Sequence, residues 1–250
     1  MSALSTNLHA VRERIAAAAG RAGRDPAEIV LVAVTKTRPP EVIQAAYDLG
    51  LRHFGENRVE EAESKVDRLP ADIIWHMIGH IQSRKAKLVV PIFHAVHSVD
   101  SVKLARRLDR LSEGRPDPLP VLLECNVSGE TSKYGFDASH WRTDDDQRAG
   151  VVASVRELLA LPHLQVQGLM TMAPIVEDAE QARPIFGRLR QLRDELAAAF
   201  PQADWQHLSM GMTDDFEVAI EEGATLVRIG RAIFEPERPI WCAVPPQTED

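Results

Sequence analysis

Cysteine is nearly absent from this chain. Cys125 and Cys242 are the only two in 250 residues. Two thiols so far apart make no disulfide framework, so the sequence predicts a reducing compartment. Long apolar runs are missing as well: none approaches the roughly 18 residues of a membrane span. The N-terminal stretch MSALSTNLHAVRERIAAAAG puts His9, Arg12, Glu13 and Arg14 where a secretory signal needs an apolar core. The expected location is the cytoplasm, with no membrane partner. Positive charge is in deficit, 29 Lys and Arg against 37 Asp and Glu, net −8. That balance argues against a nucleic-acid partner held through phosphates. Tyrosine is scarce too, with only Tyr47 and Tyr134.

What the sequence does have is alternation. Eight short apolar runs read as strands: IVLVAVTK (29–36), HFGE (53–56), IIWHMIG (73–79), HAVHSV (94–99), PVLLECNV (120–127), VQGLMTM (166–172), WQHLSM (205–210) and TLVRIG (225–230). Helical patterns separate them, as in residues 41–50, 101–113, 148–162, 180–200 and 213–223. Strands alternating with helices mean parallel βαβ units. Eight such units in a chain this long predict a single α/β domain, residues 1–250, built as a (β/α)8 TIM barrel. An open doubly wound sheet is the competing architecture. An additional helix, roughly residues 4–21, is expected to cap the barrel's bottom. The Pro-rich tail, residues 236–250, is expected to be loosely ordered.

A barrel of this type carries its active site at the C-terminal ends of its strands. There the first strand runs into Lys36. A lysine in a partly desolvated pocket loses proton affinity and attacks carbonyls as a free amine. The alternative is a lysine that merely snorkels to solvent. The loops after strands 7 and 8, LSMGMTDDF and VRIGRAIF, are the usual phosphate position of the fold. Gly211 and Gly230 would let backbone N–H groups approach an anion, the short helix after Gly230 would point its positive end at it, and Ser209 could add a hydroxyl. A small phosphorylated aldehyde fits both halves of this mouth. Pyridoxal 5′-phosphate is the commonest such ligand; a class I aldolase for a sugar phosphate is the competing reading.

The stretches AVTKTRP, HFGENRVEEAESK, WHMIGHIQSRK, HSVDS, GLMTMAP, LSMGMTDDFEVAIEEGATLVRIG and AIF resemble the YggS/PROSC family, the pyridoxal-phosphate homeostasis proteins. These are single-domain relatives of the alanine-racemase barrel. The resemblance spans nearly all of residues 29–234. It implies that Lys36 carries the cofactor as an aldimine, that Arg228 faces the pyridine nitrogen and that Asn57 lies beside the ring. Ser209, Gly230 and Arg231 are the implied phosphate contacts, and Met210 is implied to be cofactor-binding. Met210, like Met170, Met172 and Met212, also reads as gap-filling core. Arg231 departs from the family, which usually has Thr or Ser there. An arginine against the ring nitrogen can only donate, so the nitrogen stays unprotonated and the electron sink is weak. An ion pair with Glu56 or Asp100 is the alternative role for Arg228. Glu56 and Arg58 are read as orienting the loop after strand 2. His76 and His80 show no metal-site pattern, and packing or a loop hydrogen bond is the expected role.

A racemase of this barrel type uses a second base, a tyrosine from another domain and another subunit. Tyr47 falls in the helix after strand 1, Tyr134 in the loop after strand 5, and the barrel consumes the chain. The sequence therefore reads as a monomeric carrier that supplies pyridoxal phosphate to apoenzymes. A weak amino-acid racemase is the runner-up, and an aldolase comes third.

Overall fold

The computed structural model describes residues 2–130 and 133–235 of the chain. The expected loose tail and Cys242 lie outside the described residues. Eight parallel strands form the barrel: β1 (Val30–Val34), β2 (His53–Glu56), β3 (Ile74–Met77), β4 (Ala95–Val99), β5 (Leu119–Asn126), β7 (Leu164–Met170), β8 (His207–Ser209) and β9 (Leu226–Ile229). Each pairs with its sequential neighbour. The ring closes where β1 meets β9, with Val32 opposite Arg228, and where β4 meets β5. A two-residue strand, β6 (Phe136–Asp137), adds to the end of β5 outside the ring. The barrel thus confirms the closed architecture and removes the open sheet.

The outer layer holds α2 (Pro40–Asp48), α3 (Val59–Val66), α4 (Ala86–Val89), α5 (Val102–Ser112), α6 (Asp145–Leu159), α7 (Arg183–Ala199), α8 (Phe216–Glu221) and α9 (Arg231–Phe234). None of the described helices is long and apolar enough to cross a membrane. The main core fills the shell between strands and helices, with Phe54, Phe93, Phe186 and Phe216 fully buried. A second, small cluster of Val32, Leu122, Met170 and Leu226 plugs the barrel's inside. Side chains alternate across a strand, so residues two apart share a face. These four therefore identify the inward register of β1, β5, β7 and β9.

The first helix, α1 (Ala3–Arg21), does not lie across the bottom as expected. It runs beside the barrel against α8 and α9. Its buried stripe is Leu8, Val11, Ile15, Ala18 and Ala19. Asn7 donates to Ile233 O and Glu235 O, and Arg14 pairs with Glu217. These polar contacts suit a flank rather than a cap. Helix α8 also starts later than its sequence pattern suggests. Asp215 occupies the N-cap, while Thr213 Oγ1 accepts from Ala232 N.

Strand β1 ends two residues before Lys36, and the reason is local. Thr37 has φ +63, the left-handed region that a β-branched residue enters only when its surroundings hold it there. The holder is a buried ion cluster. Lys65 on α3, 5% exposed, donates to Glu56 Oε1 at 2.8 Å, to Glu61 Oε1 at 2.9 Å and to Thr35 O at 3.0 Å. Thr35 Oγ1 donates to Glu56 Oε1 at 2.7 Å, and the Thr37 N–H donates to Glu61. Both neighbours of Lys36 are thus pinned by one ammonium and two carboxylates. Glu56 is wholly buried, and burial raises its pKa even against the pull of Lys65. Glu56, expected to orient the loop after β2, instead holds the turn after β1. Replacing Lys65 by Met leaves that carboxylate without a cation, a loss of about 3–5 kcal/mol. Urea unfolding of Lys65→Met should show it, and adding Glu56→Gln should recover most of the deficit. Equal stability of Lys65→Met and the parent chain would mean the cluster carries no load.

Candidate functional site

The C-terminal ends of the strands form the mouth. Lys36 follows β1 in the register of Val30, Val32 and Val34, two of which touch the inner cluster. The residue is exposed, in the turn made with Thr37. The partly desolvated pocket expected around it is therefore not supplied by the protein alone. The cluster around Lys65 supplies backbone placement instead.

Arg228 stands lower, on the inward face of β9 with Leu226. It is 4% exposed. Its Nη1 donates to Ser209 Oγ, and its Nη2 donates to Thr171 O at 2.9 Å. Two of a guanidinium's five N–H donors are thus used. No carboxylate among the described residues pairs with it. Glu56 belongs to Lys65, and Asp100 lies 2.9 Å from His80 Nδ1. The ion pair considered for Arg228 does not form with either. Burial lowers its pKa to about 10, opposed by the more distant charges of Asp215 and Glu124.

Glu124 escaped the sequence reading. It shares the inward face of β5 with Leu122 and sits one pleat nearer the mouth. It is 4% exposed, and its Oε2 has no hydrogen-bond partner. Burial, with Asp100 adding to it, raises its pKa to about 7. The alternation of VLLECN was the available signal, because it places one acid at an inward position of an otherwise apolar strand.

The two glycine loops meet as expected. Gly211 has φ +93, and a Cβ there would fall 2.9 Å from Phe216 Cα and 2.6 Å from Ala219 Cβ. The N–H groups of Gly211 and Arg231 have no acceptor among the described residues. Ser209 and Met210 contribute differently from the sequence reading. The Ser209 hydroxyl is turned beneath, bonded to Arg228 and to His97 Nδ1 at 2.9 Å. Met210 is packed in the main core, and its N–H is bonded to Leu226 O. Arg231 is exposed and paired with Asp214.

Across the mouth, half-buried Asn57 lines a groove with Arg58, Gly79 and His80. A Cβ at Gly79 would sit 2.2 Å from Asn57 O, so only glycine lets the β3 loop press on the Asn57 backbone. His80 stacks on Tyr134 with ring centroids 3.8 Å apart. Tyr134 is thereby held at the rim and not over Lys36. His76 and His80 are not a pair: His76 lies inside the barrel and His80 at the rim. No group of metal ligands exists among the described residues.

Residues 6–237 match the family described as alanine racemase, N-terminal domain. The pyridoxal phosphate homeostasis protein of Pseudomonas aeruginosa is 45% identical over 240 residues, covering 94% of this chain and 96% of that one. Its counterpart in Aquifex aeolicus is 42% identical over 232 residues, covering 91% and 95%. A solved structure of PipY from Synechococcus elongatus with PLP bound is 34% identical, with TM-score 0.78, covering 92% of this chain and 99% of that chain. An alanine racemase of Clostridium difficile shares the fold alone, at 12% identity and TM-score 0.67. This chain covers 55% of its length. The closed ring, the inward Arg228 beneath Lys36 and these likenesses agree: the chain belongs to the alanine racemase N-terminal domain family, among the pyridoxal phosphate homeostasis proteins.

Proposed function

We propose that this protein binds pyridoxal 5′-phosphate at the barrel mouth and serves as a monomeric cytoplasmic reservoir that supplies it to apoenzymes. The observation that carries the reading is Arg228. It is buried, free of any contacting carboxylate, and has donors to spare directly below the level of Lys36. A buried cation without a counter-ion is costly unless a ligand uses it. The donor set fits this cofactor. Lys36 would hold its aldehyde carbon, Arg228 its ring nitrogen, and the N–H groups of Gly211 and Arg231 its phosphate, with Gly230 allowing the approach. Asn57 would flank the ring. When bound, the cofactor supplies an electrophilic aldehyde and a conjugated ring. Arg228 keeps the ring nitrogen unprotonated, because a guanidinium donates and has no acceptor. That weakens carbanion chemistry and suits holding over turnover. Cysteine scarcity supports the reducing location.

A weak racemase is the second reading, and Glu124 favours it. A carboxyl with a pKa near neutral in the mouth has the properties of a general base. The two readings separate by turnover. Under the reservoir reading, purified holo-protein restores an apoenzyme's activity faster than a cofactor scavenger permits, while amino-acid racemisation stays below about 1 s⁻¹, the low end of ordinary enzymes. Turnover above that rate, lost in Glu124→Gln, would establish the racemase.

Borohydride reduction followed by peptide mass mapping should place a phosphopyridoxyl group on Lys36. Lys36→Ala should lose the visible absorbance of the bound cofactor. A label at Lys65 or Lys85 would place the site elsewhere. Pyridoxal without phosphate should bind at least a hundredfold more weakly, since charge-assisted bonds contribute about 1.5–3 kcal/mol each.

Glu124 also makes a pH prediction. Its folded pKa lies above the ordinary 4.5, so the neutral form stabilises the fold at low pH. That contribution is complete below about pH 4.5 and is lost as pH rises through about 7. Urea midpoints of Glu124→Gln should therefore fall less than those of the parent chain between pH 4.5 and 8. Identical slopes would show that Glu124 titrates normally.

A further inference from the structure

Beneath the mouth a file of polar side chains crosses the barrel's interior. His53, at the start of β2, lines an open cavity on the barrel's N-terminal face together with Arg12, Val30 and Leu51. His53 Nδ1 lies 2.9 Å from His76 Nε2 on β3. His76 Nδ1 lies 2.9 Å from His97 Nε2 on β4. His97 Nδ1 lies 2.9 Å from Ser209 Oγ on β8, and Ser209 Oγ accepts from Arg228 on β9. One continuous hydrogen-bonded path thus runs from the face opposite the site up to Arg228.

The path has a direction, and hydrogen-bond satisfaction sets it. Arg228 only donates. The Ser209 hydroxyl is wholly buried, receives that hydrogen, and has one of its own to place. Among the described residues its one other partner is His97 Nδ1. Were His97 to donate to Ser209 instead, the hydroxyl hydrogen would be buried with no acceptor, which folded proteins avoid. His97 Nδ1 therefore accepts, and the ring's hydrogen sits on Nε2. That hydrogen is donated to His76 Nδ1, and the His76 hydrogen in turn to His53 Nδ1. Every ring is neutral: burial lowers the pKa of His76 to about 3, drives His97 well below 6.5, and lowers His53.

We propose that His53, His76 and His97 form with Ser209 a one-way hydrogen-bond relay that positions the Arg228 guanidinium and couples it to the opposite face of the barrel. The choice of histidine has a physical reason. A carboxylate against Arg228 would pull the guanidinium toward itself and neutralise it. A neutral acceptor orients it and leaves its charge for the ligand. The positioning role rests on the cofactor reading above; the tautomer assignment does not.

The test begins on cofactor-free protein with nitrogen-15-labelled histidine. NMR should show His53, His76 and His97 all protonated on Nε2 at neutral pH. An Nδ1–H tautomer or a charged ring at His97 overturns the proposal. A variant at the far end probes the coupling. In His53→Leu, the His76 hydrogen loses its acceptor, so His97, two links away and untouched, should show a second tautomer. An unchanged His97 signal would reduce the file to ordinary packing. With cofactor added, His97→Leu should release it at least tenfold faster. His97→Asn, whose amide oxygen can take the place of Nδ1, should recover most of the retention. Correct tautomers with no cofactor retained by the parent chain would sink the cofactor reading and leave the relay standing.

Discussion

Closure of the ring is the constraint on which everything else here depends. Where β4 pairs with β5, the sheet loses its last edge and every strand acquires an inside and an outside. Because side chains alternate, one residue out of two is committed to the inner space and the next to the helices. The outward set is packed with phenylalanine, leucine and alanine. The inward set divides along the barrel axis: Val32, Leu122, Met170 and Leu226 form an apolar plug, and polar groups continue it toward and beneath the mouth. Arg228, Ser209, His97 and Glu124 are buried together because they share this inner face, not because they are near in sequence.

Two ion arrangements, built in opposite ways, support the mouth. Around Lys65 the cation is paired by contact with two carboxylates, and the effect is rigidity in the backbone flanking Lys36. Around Arg228 the charge is left unmatched by contact, and neutral groups hold it in place. The first arrangement tolerates no ligand, and the second invites one. The proposed binding and release of an anion-bearing aldehyde would use both, a lysine on a fixed backbone and an uncommitted cation.

The sequence disclosed the strands well, since each apolar run carried its own period and its own flanking turn. All eight runs became barrel strands, but β1 stops two residues short of Lys36 and Arg228 lies beneath the mouth rather than at its rim. It disclosed the ends of elements poorly. IVLVAVTK continues as strand-like residues through Lys36, but the stop at Val34 comes from Lys65 and Glu61, about thirty positions away, and no local pattern contains them. The same holds for Ser209. A hydroxyl next to a glycine loop suggests an anion contact, and the inward turn becomes visible only when β4 and β9 supply His97 and Arg228. Helix α3, VEEAESKV, was missed because its charges obscure the apolar stripe and because its lysine points inward. Met210 reads as core from the residues and as a cofactor contact from the resemblance; its neighbours on the outer face place its side chain in the core.

Glu124 Oε2 and the unmatched guanidinium of Arg228 are costs that a bound ligand would relieve. A ligand that binds only the folded chain raises its stability in proportion to the logarithm of free ligand over the dissociation constant. The fraction of chains that survive unfolding and proteolysis would then follow the supply of the ligand itself. Such a barrel would need no signalling partner to match its own quantity to that supply: scarcity would thin its population, and plenty would preserve it.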